Sequence, residues 1–127
     1  MSTTEELAHL ISEAQFSALP RDVIEVAKTV ILDGIGVTLA GSVEPPARMV
    51  AEYVREMGGV PQCSVFGHQF KTSPVMAAFA NGVAGHVLDY EVMWHPATHA
   101  TSPTLPGILA LAESRHLAGP EIITALV

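Results

Sequence analysis

The feature that most constrains the fold of this chain is a long stretch with almost no charge, residues 72–112. Its only charged side chains are Asp89 and Glu91, and alanine is its commonest residue. Charged side chains are the ones most rarely buried, so a stretch without them is expected to lie in the interior. The fold must therefore be organised around this part of the sequence.

Length and composition limit the class of protein. With 127 residues the chain is long enough for one domain, or two at most. Apolar residues make up 49% and charged residues 15%, which excludes a disordered chain. The formal charge of −7 leaves no basic patch to bind phosphates, so no nucleic-acid partner is expected.

The sequence also argues against a membrane protein. The two most apolar segments, residues 29–41 and 74–88, are short and interrupted by Asp33, Asn81 and His86, whereas a spanning helix needs about 20 apolar residues. The N-terminus is acidic and resembles neither a signal nor a transit peptide. The single cysteine, Cys63, cannot form an internal disulfide and is expected to be an inert buried thiol. These features predict a cytoplasmic protein.

Apolar residues recur at spacings of three and four almost throughout, which predicts an all-α fold. Small residues dominate the helix predicted at 75–88, so we expect it to be central. In the helix before it, Gly34 and Gly36 are expected to allow a neighbouring helix to approach closely. A loop is predicted at 89–103. The predicted helices span residues 4–16, 20 to at least 38, 45–57, 75–88, 105–116 and 120 onward, with one short strand-like run at 62–67.

The last predicted helix is apolar up to Val127, with no polar tail or capping signal. A natural C-terminus is usually polar and frayed. We therefore expect the helical region to continue beyond Val127 in a longer protein.

The predicted loop is the strongest candidate for a functional site. His86, His95 and His99 fall in the same stretch as the two isolated carboxylates. Three interpretations remain open on the residues alone. In the first, a histidine and Asp89 transfer protons. In the second, His95 and His99 bind a metal together with Asp89 or His86. In the third, all of these residues are structural, with Asp89 capping a helix or loop and Trp94 in the core.

Three motifs stand out in this chain, at residues 31–36, 77–90 and 94–99. Together they resemble the MmgE/PrpD family, in the family's order and spacing. The family includes 2-methylcitrate dehydratase, cis-aconitate decarboxylase and an iminodisuccinate epimerase. The resemblance implies a large helical domain followed by a smaller α/β domain, in a homodimer. Residues 1–127 would then be a single helical segment, the N-terminal part of the helical domain.

The resemblance also implies the chemistry. Family members act without a cofactor or metal on small di- or tricarboxylic acids, by dehydration, decarboxylation or epimerisation. The positions that match the family's active site are Asp89 and His99, as the catalytic pair. The expected substrate-binding residues form one wall of the pocket, and they are Met93, Trp94, His95 and Thr98.

This chain departs from the family's pattern in two ways that affect the expected activity. The family commonly has two acids and a threonine where this chain has Glu91, Val92 and Met93, and decarboxylase-type members use that threonine. A 2-methylcitrate dehydratase-like activity is therefore expected ahead of cis-aconitate decarboxylation or epimerisation. Family members also supply a lysine and further histidines to the active site from later sequence. Residues 1–127 alone are therefore expected to be inactive. The alternative from a different class is a non-catalytic helical module that folds by association.

Overall fold

The structure, a computed structural model, describes residues 2–127 as helices joined by short connections and two small antiparallel hairpins. A single 3-10 turn, Phe16–Ala18, follows the first helix. In the hairpins β1 (Cys63–Ser64) pairs with β2 (Lys71–Thr72), and β3 (Met93–Trp94) pairs with β4 (Thr98–His99). The all-α prediction is confirmed. The helices are α1 (Thr3–Glu13), α2 (Arg21–Gly41), α3 (Pro45–Met57), α4 (Pro74–His86), α5 (Thr101–Arg115) and α6 (Gly119–Leu126).

Helix α4 lies at the centre and contacts α2, α3, α5 and the first hairpin. It begins with Pro74 in its first turn, where the missing N–H would have had no partner. Its small residues let neighbours come close: a β-carbon on Gly41 of α2 would overlap the carbonyl oxygen of Ala84. The prediction of a central small-residue helix is confirmed. The buried positions of α4 are Ala77, Ala80, Asn81, Ala84 and Gly85.

Only one of the two glycines expected to allow close packing in α2 does so. A β-carbon on Gly34 would lie 2.5 Å from Leu105 Cδ2 and 3.0 Å from Thr101 Cγ2, both in α5. A β-carbon on Gly36 would meet nothing within 4 Å. The prediction for Gly36 is wrong because two residues turn a helix by about 200°, which places Gly36 on the opposite face.

Helix α5 begins earlier than its prolines suggest. The sequence predicts a loop up to Pro103, yet the helix starts at Thr101 and contains both Pro103 and Pro106. The first four N–H groups of a helix have no partner within it, so Pro103, in the first turn, removes no hydrogen bond, whereas Pro106 lies inside the helix. The loop prediction also missed the hairpin formed by β3 and β4.

The apolar spacing predicts that α1 and α3 each turn an apolar face inward, and the structure buries only that of α3. The side chains of Leu7, Leu10 and Ile11 share one side of α1 but are exposed, and α1 buries no residue. Of the three α3 residues predicted to point inward, Val54 is buried and Val50 is partly buried, whereas Met57, the last residue of the helix, is exposed.

Among residues 2–127, no helix has both the length and the hydropathy required to cross a bilayer.

The first hairpin is attached to α5 by a carboxylate. Glu113 accepts hydrogen bonds from the Ser64 backbone N–H (2.7 Å), the Ser64 hydroxyl (2.8 Å) and Lys71 Nζ (2.8 Å). We call Glu113, Ser64 and Lys71 the hairpin cluster. Next to it, Cys63 is fully buried and unpaired, as predicted, and its Sγ donates to the Ala110 carbonyl. Burial, reinforced by the negative charge of Glu113, raises the pKa of this thiol.

Candidate active site

Four segments meet at one polar cluster in the otherwise apolar middle of the chain. They are the end of α4, the connection after it, strand β4 and the first turn of α5. Each contributes side chains that contact those of another segment. We call the group formed by His86, Asp89, Glu91, His99 and Ser102 the site cluster.

The backbone after α4 explains how the chain reaches this position. Helix α4 ends at His86, and the N–H of Asp89 donates to the His86 carbonyl at 2.9 Å. Asp89 adopts a left-handed conformation with φ of 56°, which aspartate tolerates better than most residues. The side chain of Asp89 remains exposed, whereas that of Glu91, two residues later, is buried.

Glu91 is the buried centre of the site cluster, with only 1% of its side chain exposed. Its Oε2 accepts the Ser102 backbone N–H at 2.6 Å, and its Oε1 accepts the Ser102 hydroxyl at 2.5 Å and faces His86 Nδ1 at 2.7 Å. Burial alone would raise the pKa of this carboxyl, but the hydrogen bonds from Ser102 and His86 outweigh it and lower the pKa. Glu91 is therefore an anion at neutral pH.

The same carboxylate caps a helix. The residue at the N-cap position of α5 is Ala100, whose side chain has no oxygen to accept a helical N–H. Glu91 accepts one of these free N–H groups instead, from the second residue of the helix. The partial positive charge at a helix N-terminus further favours an anion there. The structural interpretation assigned capping to Asp89, but this helix is capped by Glu91.

The two histidines of the site cluster both approach Glu91. The His86 and His99 rings meet edge to face with centroids 4.9 Å apart. His99 Nδ1 lies 3.3 Å from Glu91 Oε1 without forming an aligned hydrogen bond, and His99 Nε2 lies 3.4 Å from Asp89 Oδ1. His86 and Asp89 are largely exposed, so one side of the cluster is open. An imidazole between two carboxylates, open on one side, is suited to proton transfer.

The structure brings the predicted catalytic pair together and places the predicted pocket wall on the second hairpin. Met93 lies opposite His99 and Trp94 opposite Thr98 in the register of β3 and β4, and His95 is in the exposed turn between them. Trp94 is partly exposed, so its assignment to the core is wrong. Its side chain lines a cavity of about 310 Å³ with α2 and α6. Substrate contact by Met93, Trp94, His95 and Thr98 stays a prediction.

Among residues 2–127, the one group of side chains close enough together to bind a metal differs from the group that the sequence suggested. The ligand atoms of His86, Glu91 and His99 all lie within 4.8 Å of one another, and His95 is not in this group. Both Glu91 oxygens, however, already accept hydrogen bonds from Ser102. A metal would compete with these bonds and with the His86 contact, so the donor set fits a hydrogen-bonded cluster better than a metal site.

Sequence reasoning did not assign a role to Glu91 or Ser102. The available signal for Glu91 was its isolation as one of two charges between residues 72 and 112, because an isolated carboxylate in a buried segment needs partners. Ser102 had no comparable signal. It lies within a segment predicted as a loop, so its position in the first turn of a helix was not evident.

Comparisons with known proteins agree with the motifs. A sequence model of the MmgE/PrpD N-terminal domain matches residues 5–127. The chain is 35% identical over 114 residues to cis-aconitate decarboxylase of Mus musculus, covering 89% of this chain and 23% of that protein. It is 34% identical over 114 residues to the Homo sapiens protein of that name (89% and 24%) and 29% identical over 132 residues to the Aspergillus terreus protein (98% and 26%).

The chain therefore spans about a quarter of the length of these curated relatives. The match to the family covers nearly all of its residues, and it includes the segment that forms the site cluster. The chain belongs to the MmgE/PrpD family, and it contains that family's N-terminal domain.

Proposed function

We propose that the protein containing this chain uses the site cluster for proton transfer on a small di- or tricarboxylic acid, without a cofactor. The observation that supports this most strongly is the position of His99, with one ring nitrogen facing Glu91 and the other facing Asp89. Histidine changes its charge near neutral pH, and neighbouring carboxylates orient its ring.

In this proposal His99 and Asp89 are the catalytic residues. Their close atoms, His99 Nε2 and Asp89 Oδ1, lie at the open side of the cluster, where a substrate has access. In a decarboxylation, the C–C bond to the departing CO₂ breaks, and its electrons remain on carbon. That carbon then takes a proton from His99 or Asp89. In a dehydration, one member removes a proton from carbon and the other protonates the leaving hydroxyl. Both reactions need a positioned acid or base of this kind.

Two observations favour different substrates. The curated relatives named above are cis-aconitate decarboxylases, which supports decarboxylation of cis-aconitate. Met93, in the hairpin beside His99, cannot donate the hydrogen bond that a threonine would supply, and this favours dehydration of a 2-methylcitrate-like substrate. We take decarboxylation as the first activity to test and dehydration as the second.

The charges in the site cluster support a further expectation. A polycarboxylate substrate is anionic, yet the cluster contains two carboxylates and no lysine or arginine. The nearest basic residue along α5, Arg115, lies about 20 Å from Ser102 at the other end of the helix. We therefore propose that cationic residues outside residues 1–127 complete the site. Residues 1–127 alone would then not turn over substrate.

The test is a His99→Ala substitution in the whole protein, assayed with cis-aconitate and with 2-methylcitrate. We expect turnover of the accepted substrate to fall by about 100-fold or more, the usual effect of losing an acid–base group. His9→Ala is the matched control, because His9 is exposed on α1 and far from the cluster in sequence. Undiminished turnover in His99→Ala would refute the role. No turnover of either substrate by the folded parent would favour the non-catalytic module.

We also propose that the whole protein is a homodimer. The exposed apolar side chains of α1 support an arrangement in which further protein covers this helix. Sedimentation equilibrium of the whole protein would test it, and a monomer at micromolar concentration would contradict it.

A further inference from the structure

We propose that Glu91 is a positioning residue, which holds the rings of His86 and His99 in the orientation that proton transfer requires. The contacts of Glu91 with the two histidines do not depend on the proposed function, whereas the expected effect on turnover rests on it. Glu91 is not a catalytic residue in this proposal, because its carboxylate is buried behind the histidines and does not reach the open side.

The first step of the argument is that Glu91 itself is fixed. Its carboxylate is bound by the backbone and hydroxyl of one residue, Ser102, in the first turn of α5. Helix α5 in turn packs closely against α2 and α4. A carboxylate attached in this way is a rigid reference point within the cluster.

The second step is that capping alone does not account for the position of Glu91. A cap of α5 requires only Oε2, which accepts the Ser102 N–H. The other oxygen, Oε1, faces His86 Nδ1 at 2.7 Å and His99 Nδ1 at 3.3 Å. One buried oxygen therefore contacts both rings of the cluster.

The third step concerns the protons. An ionised carboxylate can only accept, so the 2.7 Å contact requires a proton on His86 Nδ1 and leaves Nε2 of that ring to act at the open side. For His99, Nδ1 is turned inward to Glu91 and Nε2 outward to Asp89. Glu91 thereby determines which nitrogen of each ring faces a substrate.

The chain contains a matched control for this role. Glu113 binds the N–H and hydroxyl of Ser64 as Glu91 binds those of Ser102, but its remaining partner is Lys71 instead of a histidine. If Glu91 were only structural, then Glu91→Gln and Glu113→Gln would have the same kind of effect.

The experiment compares Glu91→Gln with Glu113→Gln in the whole protein by long-range ¹H–¹⁵N spectra of the histidine rings and by steady-state kinetics. For Glu91→Gln we expect changed ring ¹⁵N shifts at His86 and His99, with those of His9 and His116 unchanged. We expect kcat to fall by roughly tenfold to a hundredfold, the range expected for a misplaced catalytic group, with KM changed much less. Glu113→Gln should leave kcat and the ring shifts of His86, His99 and His9 unchanged.

A second pair of variants covers the case in which Glu91→Gln does not fold. Ser102→Ala removes one of the bonds that fix Glu91 and leaves the carboxylate in place, and Ser64→Ala removes the equivalent bond from Glu113. Ser102→Ala should change the ring shifts of His86 and His99, whereas Ser64→Ala should not.

Two results would overturn the proposal. Unchanged His86 and His99 ring shifts in Glu91→Gln, or in Ser102→Ala where that variant is the one that folds, would reduce Glu91 to a helix cap. Stoichiometric binding of added Zn²⁺ that shifts both rings and is lost in Glu91→Gln would make Glu91 a metal ligand. A failure of the proposed function is distinct: His99→Ala would then retain full turnover while the ring shifts still responded to Glu91→Gln.

Discussion

The site cluster and the hairpin cluster use the same local arrangement for different purposes. In each, a glutamate accepts the backbone N–H and the hydroxyl of one serine, at 2.6 and 2.5 Å for Glu91 and at 2.7 and 2.8 Å for Glu113. In each, burial opposes ionisation, yet hydrogen bonds lower the pKa of the carboxyl.

The clusters differ in the remaining partner and in burial. Lys71 completes the hairpin cluster, in which 32% of the Glu113 side chain is exposed, whereas histidines complete the site cluster, in which 1% of the Glu91 side chain is exposed. A lysine stays charged throughout the physiological pH range, so its pair with Glu113 is a fixed attachment. A histidine gains and loses its proton near neutrality. The identity of the remaining partner therefore separates a structural carboxylate from a candidate functional one.

The largest expected effect is on stability when each carboxylate is removed. Glu91→Ala leaves the partly buried Ser102 N–H and His86 Nδ1 without an acceptor that is itself almost fully buried, and we expect it to lower the free energy of unfolding by about 3 kcal/mol. Glu113→Ala should lower the free energy of unfolding by about 1 kcal/mol, because 32% of the Glu113 side chain and 50% of the Lys71 side chain are exposed to water. Urea unfolding of both variants would check this. Equal losses would show that the difference in burial has no energetic consequence.

A smaller effect is expected from the packing beneath the site cluster. A β-carbon at Gly34 would press on Thr101 and Leu105 in the first turns of α5, so Gly34→Ala should destabilise the protein by about 1–3 kcal/mol. It should also disturb the ring shifts of His86 and His99 and leave the hairpin cluster unaffected. Gly36→Ala is the control and should raise the free energy of unfolding by up to about 1 kcal/mol, because a β-carbon at that position meets no neighbour and alanine favours a helix over glycine. Equal unfolding free energies for the two variants would contradict the close approach at Gly34.

The smallest expected effect is on acid stability. Because both carboxyls have a lowered pKa in the folded state, each contributes stability that is present above the ordinary carboxyl range and is lost as the pH falls through the lowered value. Glu91→Gln and Glu113→Gln should each make the unfolding free energy depend less steeply on pH in the acid range. Unfolding measured between pH 7 and pH 3 would check this. An unchanged acid slope in either variant would contradict the lowered pKa of that carboxyl.

The helices were predictable because their periodicity is local. The central position of α4 followed from its small residues, and the pairing of Asp89 with His99 followed from the family's motifs. The start of α5 was not predictable in the same way, because Pro103 is a stop signal in a helix interior and harmless in the first turn. Gly36 was misjudged because it lies two residues from Gly34 and therefore on the opposite face of α2, and only the fold shows which of these faces meets α5.

The sequence by itself determined that this chain is helical, that its middle is buried, that two carboxylates lie isolated there, and to which family it belongs. Only the tertiary structure decided which carboxylate is buried, and it is Glu91 rather than Asp89. The physical reason is that the left-handed turn at Asp89 and the N-terminus of α5 together direct Glu91 inward. Hydrogen bonds between segments that are brought together only by the fold produce no periodic pattern in the sequence, so they cannot be predicted from it.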